Sequence, residues 1–321
     1  MNKNNHFHLL GAVIATGILS FSGVLIETAM NVTFPTLIHE FGLSTSKIQW
    51  VTTIYLLVIA ITIPLSSYFN ERFSARKLFL IANLFFLVGV LTNCFSANFA
   101  MLLFGRLLQG IGTGIGLPLM FHLILTKAPL HKRGMMMGIG TLTTSIAPAI
   151  GPTYGGIIAH ALDWRYIYIF LLPLVIISLF LGLAALPREI AKTPKKLAFR
   201  PVIALSIMFF AFISALSAEH LLTFALLFVI EMIGAVMFVR FNRKETLIDL
   251  GIMKNRRFVA LIFSLLVYQA LLLGLSFILP SFLQVSAGFS SSVAGIFMFH
   301  GVLVGAVLAP ISGKILDQIG A

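Results

Sequence analysis

The chain has little charge and a single cysteine. Asp, Glu, Lys and Arg make up 10% of its 321 residues, where a soluble domain carries about 25%. A chain so poor in charge cannot cover a water-facing surface, which excludes a soluble enzyme, a disordered tail and a coiled coil. Cys94 stands alone, so a disulfide framework and any cysteine-built zinc or iron–sulfur centre within one chain are excluded. No HExxH or GxSxG pattern is present, and no enzyme activity, cofactor or metal is expected. Carboxylates are scarcer than bases, and the net charge is +12. In a soluble protein that balance would point to nucleic acid. Here the bases sit in short loops, where they report membrane topology, and no nucleic-acid partner is expected.

What is present is apolar: hydrophobic residues are 59% of the chain. A membrane-spanning helix needs about 20 such residues in a row. Ten stretches qualify, near 8–31, 48–69, 78–97, 101–126, 135–159, 164–186, 201–218, 220–239, 258–284 and 292–312. The expectation is an all-α, polytopic membrane protein bathed in lipid. Nineteen of the 22 Lys and Arg fall on one side of this alternation. Among them are Lys3, Arg72, Arg76, Lys77, Arg133, Arg188, Lys192, Lys195, Lys196, Arg240 and Lys314. Lys47 and Arg165 fall on the other side, and Arg106 lies inside the fourth span. The bias places the basic side and both ends of this chain in the cytoplasm. The two longest basic loops, 187–200 and 240–258, divide the chain. The division is a six-helix unit at 1–186, basic loops and a helix hairpin at 187–257, and two further helices at 258–321. The hairpin is expected to stand between the six-helix unit and those last two helices.

Charge at membrane depth costs at least ~2.5–3.5 kcal/mol at a helix centre and marks function by default. Glu27 lies in the outer part of the first span and Arg106 about seven residues into the fourth, roughly 10 Å deep at 1.5 Å per residue. An ion pair between them would lower the burial cost of both. Two readings stand: a static structural pair, or a carboxylate that takes up a proton and releases its arginine. Glu231, in the middle of the eighth span, has no evident partner. It reads either as a protonated acid against a neighbouring helix or as a group that tunes substrate charge. His122 and His300, also at depth, read as helix contacts or proton relays. The fourth span carries Gly110, Gly112, Gly114 and Gly116, and the fifth carries Pro148 and then Gly151-Pro-Thr-Tyr-Gly-Gly156. Small residues at such spacing let helix backbones approach, and prolines bend spans near transporter cavities.

These residues resemble a known family, the drug:proton antiporters of the bacterial major facilitator superfamily, in the branch with fourteen helices. The first span ends Glu27-Thr-Ala-Met-Asn31-Val-Thr-Phe-Pro35, similar to the family's acidic residue followed by N-V-A-x-P. Ser67-Tyr-Phe-Asn-Glu71-Arg72-Phe-Ser-Ala-Arg76-Lys77 resembles a degraded G-x-L-x-D-R-x-G-R-R loop, with serines for both glycines and Glu71 for the aspartate. Leu102-Leu-Phe-Gly-Arg106-Leu-Leu-Gln109-Gly110-Ile-Gly112 matches L-x-x-x-R-x-x-Q-G-x-G. Gly151-Pro152-Thr-Tyr-Gly155-Gly156 matches the antiporter motif G-P-x-x-G-G, and Trp164-Arg165 comes where the family has W-R. Gly313 through Asp317 and Gly320 resembles a second copy of the loop motif.

The resemblance implies a major facilitator fold of two six-helix bundles around a central cavity, with the hairpin of the seventh and eighth spans joining them. It implies proton-driven export of small amphiphilic compounds across the bacterial cytoplasmic membrane. Glu27 and Arg106 fall at the proton-coupling positions. Glu71, Arg72, Arg76 and Asp317 fall at those of a cytoplasmic latch, and the lost glycines argue against a tight latch geometry. Substrate is expected among aromatic and methionine side chains, Phe21 and Met30 included. Ten spans leave the second bundle incomplete. The alternative is therefore a truncated remnant or subunit that transports nothing alone and needs a second polypeptide.

Overall fold

A computed structural model describes residues 8–187, 197–216, 218, 220–285, 304–305, 308–309, 311–315 and 317–318. Lys3, Arg188, Lys192, Lys195, Lys196, His300 and most of the tenth expected span lie outside the described residues. Among those described there is no strand. The solvent is the reason: hydrocarbon offers backbone groups no partner, and a helix satisfies them within itself.

The helices are α1 (Leu9–Asn31), α2 (Phe34–Phe41), α3 (Thr45–Ile48), α4 (Trp50–Thr62), α5 (Ser66–Arg72), α6 (Ala75–Cys94), α7 (Phe99–Lys127), α8 (Arg133–Ala161), α9 (Tyr166–Ala185), α10 (Phe199–Leu216), α11 (Leu221–Asn242) and α12 (Arg256–Val285). Among the described residues, seven spans are long and apolar enough to cross a membrane. The α8 helix is 29 residues long, but its run of Gly, Thr, Ser and Pro makes it less apolar. The expected second span runs as one stretch, Thr45–Arg72, tightened to a 3₁₀ turn at Ile63–Leu65 between α4 and α5, where Pro64 has no N–H to continue the ladder. The short α2 was not anticipated. It buries Leu37 and ends at Gly42, whose φ of 62° is the left-handed cap that glycine accepts without strain.

The core forms around α1, which packs against α7, α8 and α9, while α7 also packs on α4 and α6. Two interfaces are close enough to exclude a side chain. A Cβ at Gly155 would strike the Ala29 carbonyl, and one at Gly151 would strike the Thr28 hydroxyl, so α8 lies against α1. A Cβ at Gly112 would come within 2.6 Å of the Ala82 carbonyl, so α7 lies against α6. Polar ties cross the core too. The Asn83 amide donates to Ser178 Oγ at 3.0 Å, and that hydroxyl donates to the Ala15 carbonyl at 2.8 Å, joining α6, α9 and α1.

The hairpin of α10 and α11 does not stand apart from the six-helix unit. The α10 helix packs on α4, with the Trp50 and Phe210 rings 6.0 Å apart. Gly234 lets α11 close on Met208 of α10, and Phe238 packs with Ala204 and Leu205. The outward residues of α11, such as Leu221, Leu222 and Val236, are exposed, as a lipid-facing helix requires.

Candidate functional site

Arg106 is fully buried. Its Nε donates to the Val51 carbonyl at 2.9 Å and its Nη1 to Gln109 Oε1 at 3.1 Å. The guanidinium carbon lies 4.2 Å from the centre of the Tyr55 ring, a cation–π contact strengthened by desolvation. Tyr55 is itself fixed: its hydroxyl donates to the Gly23 carbonyl at 2.8 Å and lies 2.9 Å from Thr113 Oγ1. Gly23 makes room, since a Cβ there would overlap the Thr113 side chain.

Glu27 sits one turn beyond Gly23 on α1 and is half-buried. No direct ion pair joins it to Arg106, whose Nε and Nη1 are bonded to Val51 and Gln109. The guanidinium still acts electrostatically on the Glu27 carboxyl, and Glu27 on Tyr55. The arrangement is a carboxyl, a guanidinium and a tyrosine ring that act on one another electrostatically in a largely buried setting.

The remaining motif residues are structural supports. Asn31 Oδ1 accepts from the Thr52 hydroxyl at 2.9 Å, tying α1 to α4. Pro35 sits in the first turn of α2, where its missing N–H has no partner to lose. Gly110 faces the Tyr55 carbonyl and Val58 of α4. Pro152 lies within α8. Gly156 meets nothing within 4 Å and so makes no close approach, unlike Gly151 and Gly155. Met30 is fully buried in the core. Glu231 is half-buried at the i, i+3, i+7 spacing that puts it on the Gly234 and Phe238 face of α11, towards α10. Among the described elements nothing brings it near Glu27.

Three of the latch positions, Arg72, Arg76 and Asp317, each meet a different partner. Arg72 donates to the Tyr68 hydroxyl. Arg76 donates to the Leu186 carbonyl at 3.4 Å. Glu71 is exposed and lines a cleft of about 910 Å³ together with Ser67, Asn70, Pro118 and His122. That cleft is on the basic-loop end of α7, at least 11 residues from Arg106, and does not include the Glu27 site. Ser74, where the family has glycine, caps α6 by accepting from the Lys77 N–H at 3.4 Å. Asp317 ties two distant segments together. Its carboxylate accepts from the Gly134 and Met135 N–H groups at 2.6 and 2.9 Å, at the N-terminus of α8, where the helix dipole favours an anion.

At the opposite end lies a cluster only part of which was legible as Trp164-Arg165. Glu40 of α2 accepts from Trp164 Nε1 at 2.6 Å and from Arg165 at 2.7 Å. Arg165 also reaches the Ser96 carbonyl at 2.7 Å and Asp163 at 3.1 Å. Burial works against its charge, but the Glu40 and Asp163 carboxylates outweigh that and raise its pKa. The cluster ties the ends of α2, α6 and α9. Glu40, Tyr55, Asn93 and Tyr168 gave no signal in the sequence, because only tertiary packing assembles them.

A family model described as Major Facilitator Superfamily matches residues 16–321. The chain is 33% identical over 318 residues to the lincomycin resistance protein LmrB of Listeria innocua, covering 96% of this chain and 67% of that protein. It is 25% identical over 316 residues to the multidrug export protein EmrB of Escherichia coli, covering 95% and 62%. The chain thus spans about two thirds of the length of these relatives. The proton:xylose symporter XylE has a similar fold, with a TM-score of 0.64 at 16% identity, covering 97% of this chain and 70% of that one.

Proposed function

Because the chain belongs to the Major Facilitator Superfamily, a family of membrane transporters, we propose that it serves as a proton-coupled efflux antiporter for amphiphilic compounds. The observation that carries the proposal is the half-buried Glu27 carboxyl in electrostatic reach of a fully buried Arg106, which stacks on Tyr55. An ionised Glu27 draws the guanidinium towards α1, and a protonated Glu27 releases it. A binding event of one proton thereby biases two packings of the same helices, which is what alternating access needs. The proton enters from the side of Lys47 and Arg165 and leaves towards the basic loops, with both ends of this chain in the cytoplasm of a bacterial cell.

The Asp317 contact supplies the second element. It joins the last described segment to the start of α8 at the basic end. Opening at that end must break two charge-assisted hydrogen bonds, so the contact favours the state closed to the cytoplasm. The first-loop residues Glu71, Arg72 and Arg76 are proposed as the other half of the latch.

The test uses the full polypeptide in liposomes with an imposed pH gradient and ethidium as a fluorescent amphiphilic cation. Gradient-driven ethidium movement is expected for the native sequence and its loss for Glu27→Gln, with insertion unchanged. Undiminished gradient-driven export by Glu27→Gln would overturn the proposal.

A further inference from the structure

On the side of Arg106 away from α4, four buried polar atoms lie unused. Arg106 Nη2, both amide atoms of Asn93 and the Tyr168 hydroxyl have no hydrogen-bond partner. Arg106, Asn93 and Tyr168 are each fully buried. They come from α7, α6 and α9, so no local sequence rule places them together. Gly105, the neighbour of Arg106, is what admits Asn93: a Cβ there would overlap the Asn93 amide oxygen. The Tyr168 ring is held edge-on against Trp164, with centroids 6.2 Å apart. Its hydroxyl already lies within reach of both Arg106 and Asn93, but at a geometry that makes no well-formed hydrogen bond to either. Buried polar groups are almost always paired. A matched donor and two acceptors, all buried, neighbouring and all idle, mark a place that is filled in another state.

We infer that Asn93 and Tyr168 are positioning residues for Arg106, forming a second resting place for its guanidinium on the α6–α9 side, away from Glu27. The inference rests on the proton-coupling reading above. When Glu27 is ionised, the guanidinium leans towards α1 and Tyr55. When Glu27 is protonated, Nη2 swings to the Asn93 amide oxygen and the Tyr168 hydroxyl, which satisfies three of the four idle atoms and leaves the Asn93 Nδ2. The switch then has two defined ends rather than one attraction and its absence. Among the described residues, the titratable groups acting on this pair are Tyr55 of α4, Tyr168 of α9 and, through Tyr168, Cys94 of α6. On α8, Tyr154 is engaged elsewhere, donating to the Ile167 carbonyl at 2.7 Å.

The test is an infrared titration of the full polypeptide, following the carboxylic C=O band that Glu27→Gln removes. It requires no substrate. Tyr168→Phe keeps the ring and its packing but deletes an acceptor, which leaves Arg106 closer to Glu27. Its midpoint should fall by about half a pH unit or more, a threefold change in the proton equilibrium. Asn93→Asp holds the guanidinium on the far side, and its midpoint should rise by a similar amount. Opposite shifts are not produced by loosened packing. If Asn93→Asp fails to insert, Tyr168→Phe alone decides. A Glu27 band with the same midpoint in the native and variant chains would overturn the inference and leave the proton-coupling reading standing. A titration with no Glu27-dependent band would overturn both.

Discussion

Arg106 is fully buried, and its surroundings come from four helices besides its own: Val51 and Tyr55 of α4, Glu27 of α1, Asn93 of α6 and Tyr168 of α9. Its planar fork serves a backbone carbonyl, an amide and a ring at once, which a lysine ammonium cannot do. Arg106→Lys is therefore expected to keep the charge yet lower ethidium export by about tenfold or more. Its thermal stability should fall by about 1–2 kcal/mol through the lost stacking and hydrogen bond. Export equal to the native rate would show that only the charge matters. Glu27 and Arg106 were legible in the sequence because an ionisable group within an apolar run is conspicuous. Their similar depth suggested a direct pair, but depth does not reveal side-chain direction, and the Arg106 Nε and Nη1 turn to Val51 and Gln109. Tyr55, Asn93 and Tyr168 were illegible for a related reason. Aromatic and amide residues are ordinary in spans, and only their convergence on Arg106 distinguishes them. Glu40 is a similar case at the outer end. Glu40→Ala removes the acceptor of a buried Trp164 Nε1. It should cost about 1–2 kcal/mol, read as a lowered melting temperature in detergent.

At the scale of elements, the glycines of α8 separate into two kinds. Gly155 abuts the Ala29 backbone, and Gly156 meets open space. Gly155→Val should push α8 off α1 and destabilise the protein by about 1–3 kcal/mol, whereas Gly156→Ala should leave the melting temperature within about a degree of native. Thermal unfolding of both variants in one detergent checks the contrast, and equal effects would contradict the close α1–α8 contact. The motif match alone treated these two positions alike, because a pattern of glycines does not say which one faces a neighbour. Helix boundaries were more legible. For the third to ninth expected spans, each end that is described falls within a few residues of the apolar run, as hydrophobic length sets it. The second span tightens at Pro64 without ending there, and α2 was missed, because a short helix beside a span carries no length signal. The hairpin of α10 and α11 packs on α4 through the Trp50–Phe210 contact, which no length signal could reveal.

For the whole molecule, membrane insertion was written in composition: a chain with 59% hydrophobic and 10% charged residues has no other solvent. The contact between distant segments was not. Asp317 reaches the N-terminus of α8 across more than 180 positions of chain, and only the structure shows it. Asp317→Asn keeps the shape but weakens both hydrogen bonds, and should favour opening at the basic end. Distances between spin labels on Leu130 and Lys314 should then broaden towards longer values, and an unchanged distribution would remove Asp317 from the latch. The central claim is exchange of a proton for an exported compound through Glu27. Its most direct test loads liposomes bearing the full polypeptide with a pH-sensitive dye and imposes an ethidium gradient with no pH gradient. The account predicts that ethidium flow drives protons in the opposite direction, and that Glu27→Gln abolishes the proton response. Ethidium flow with no movement of protons in the native protein would contradict it.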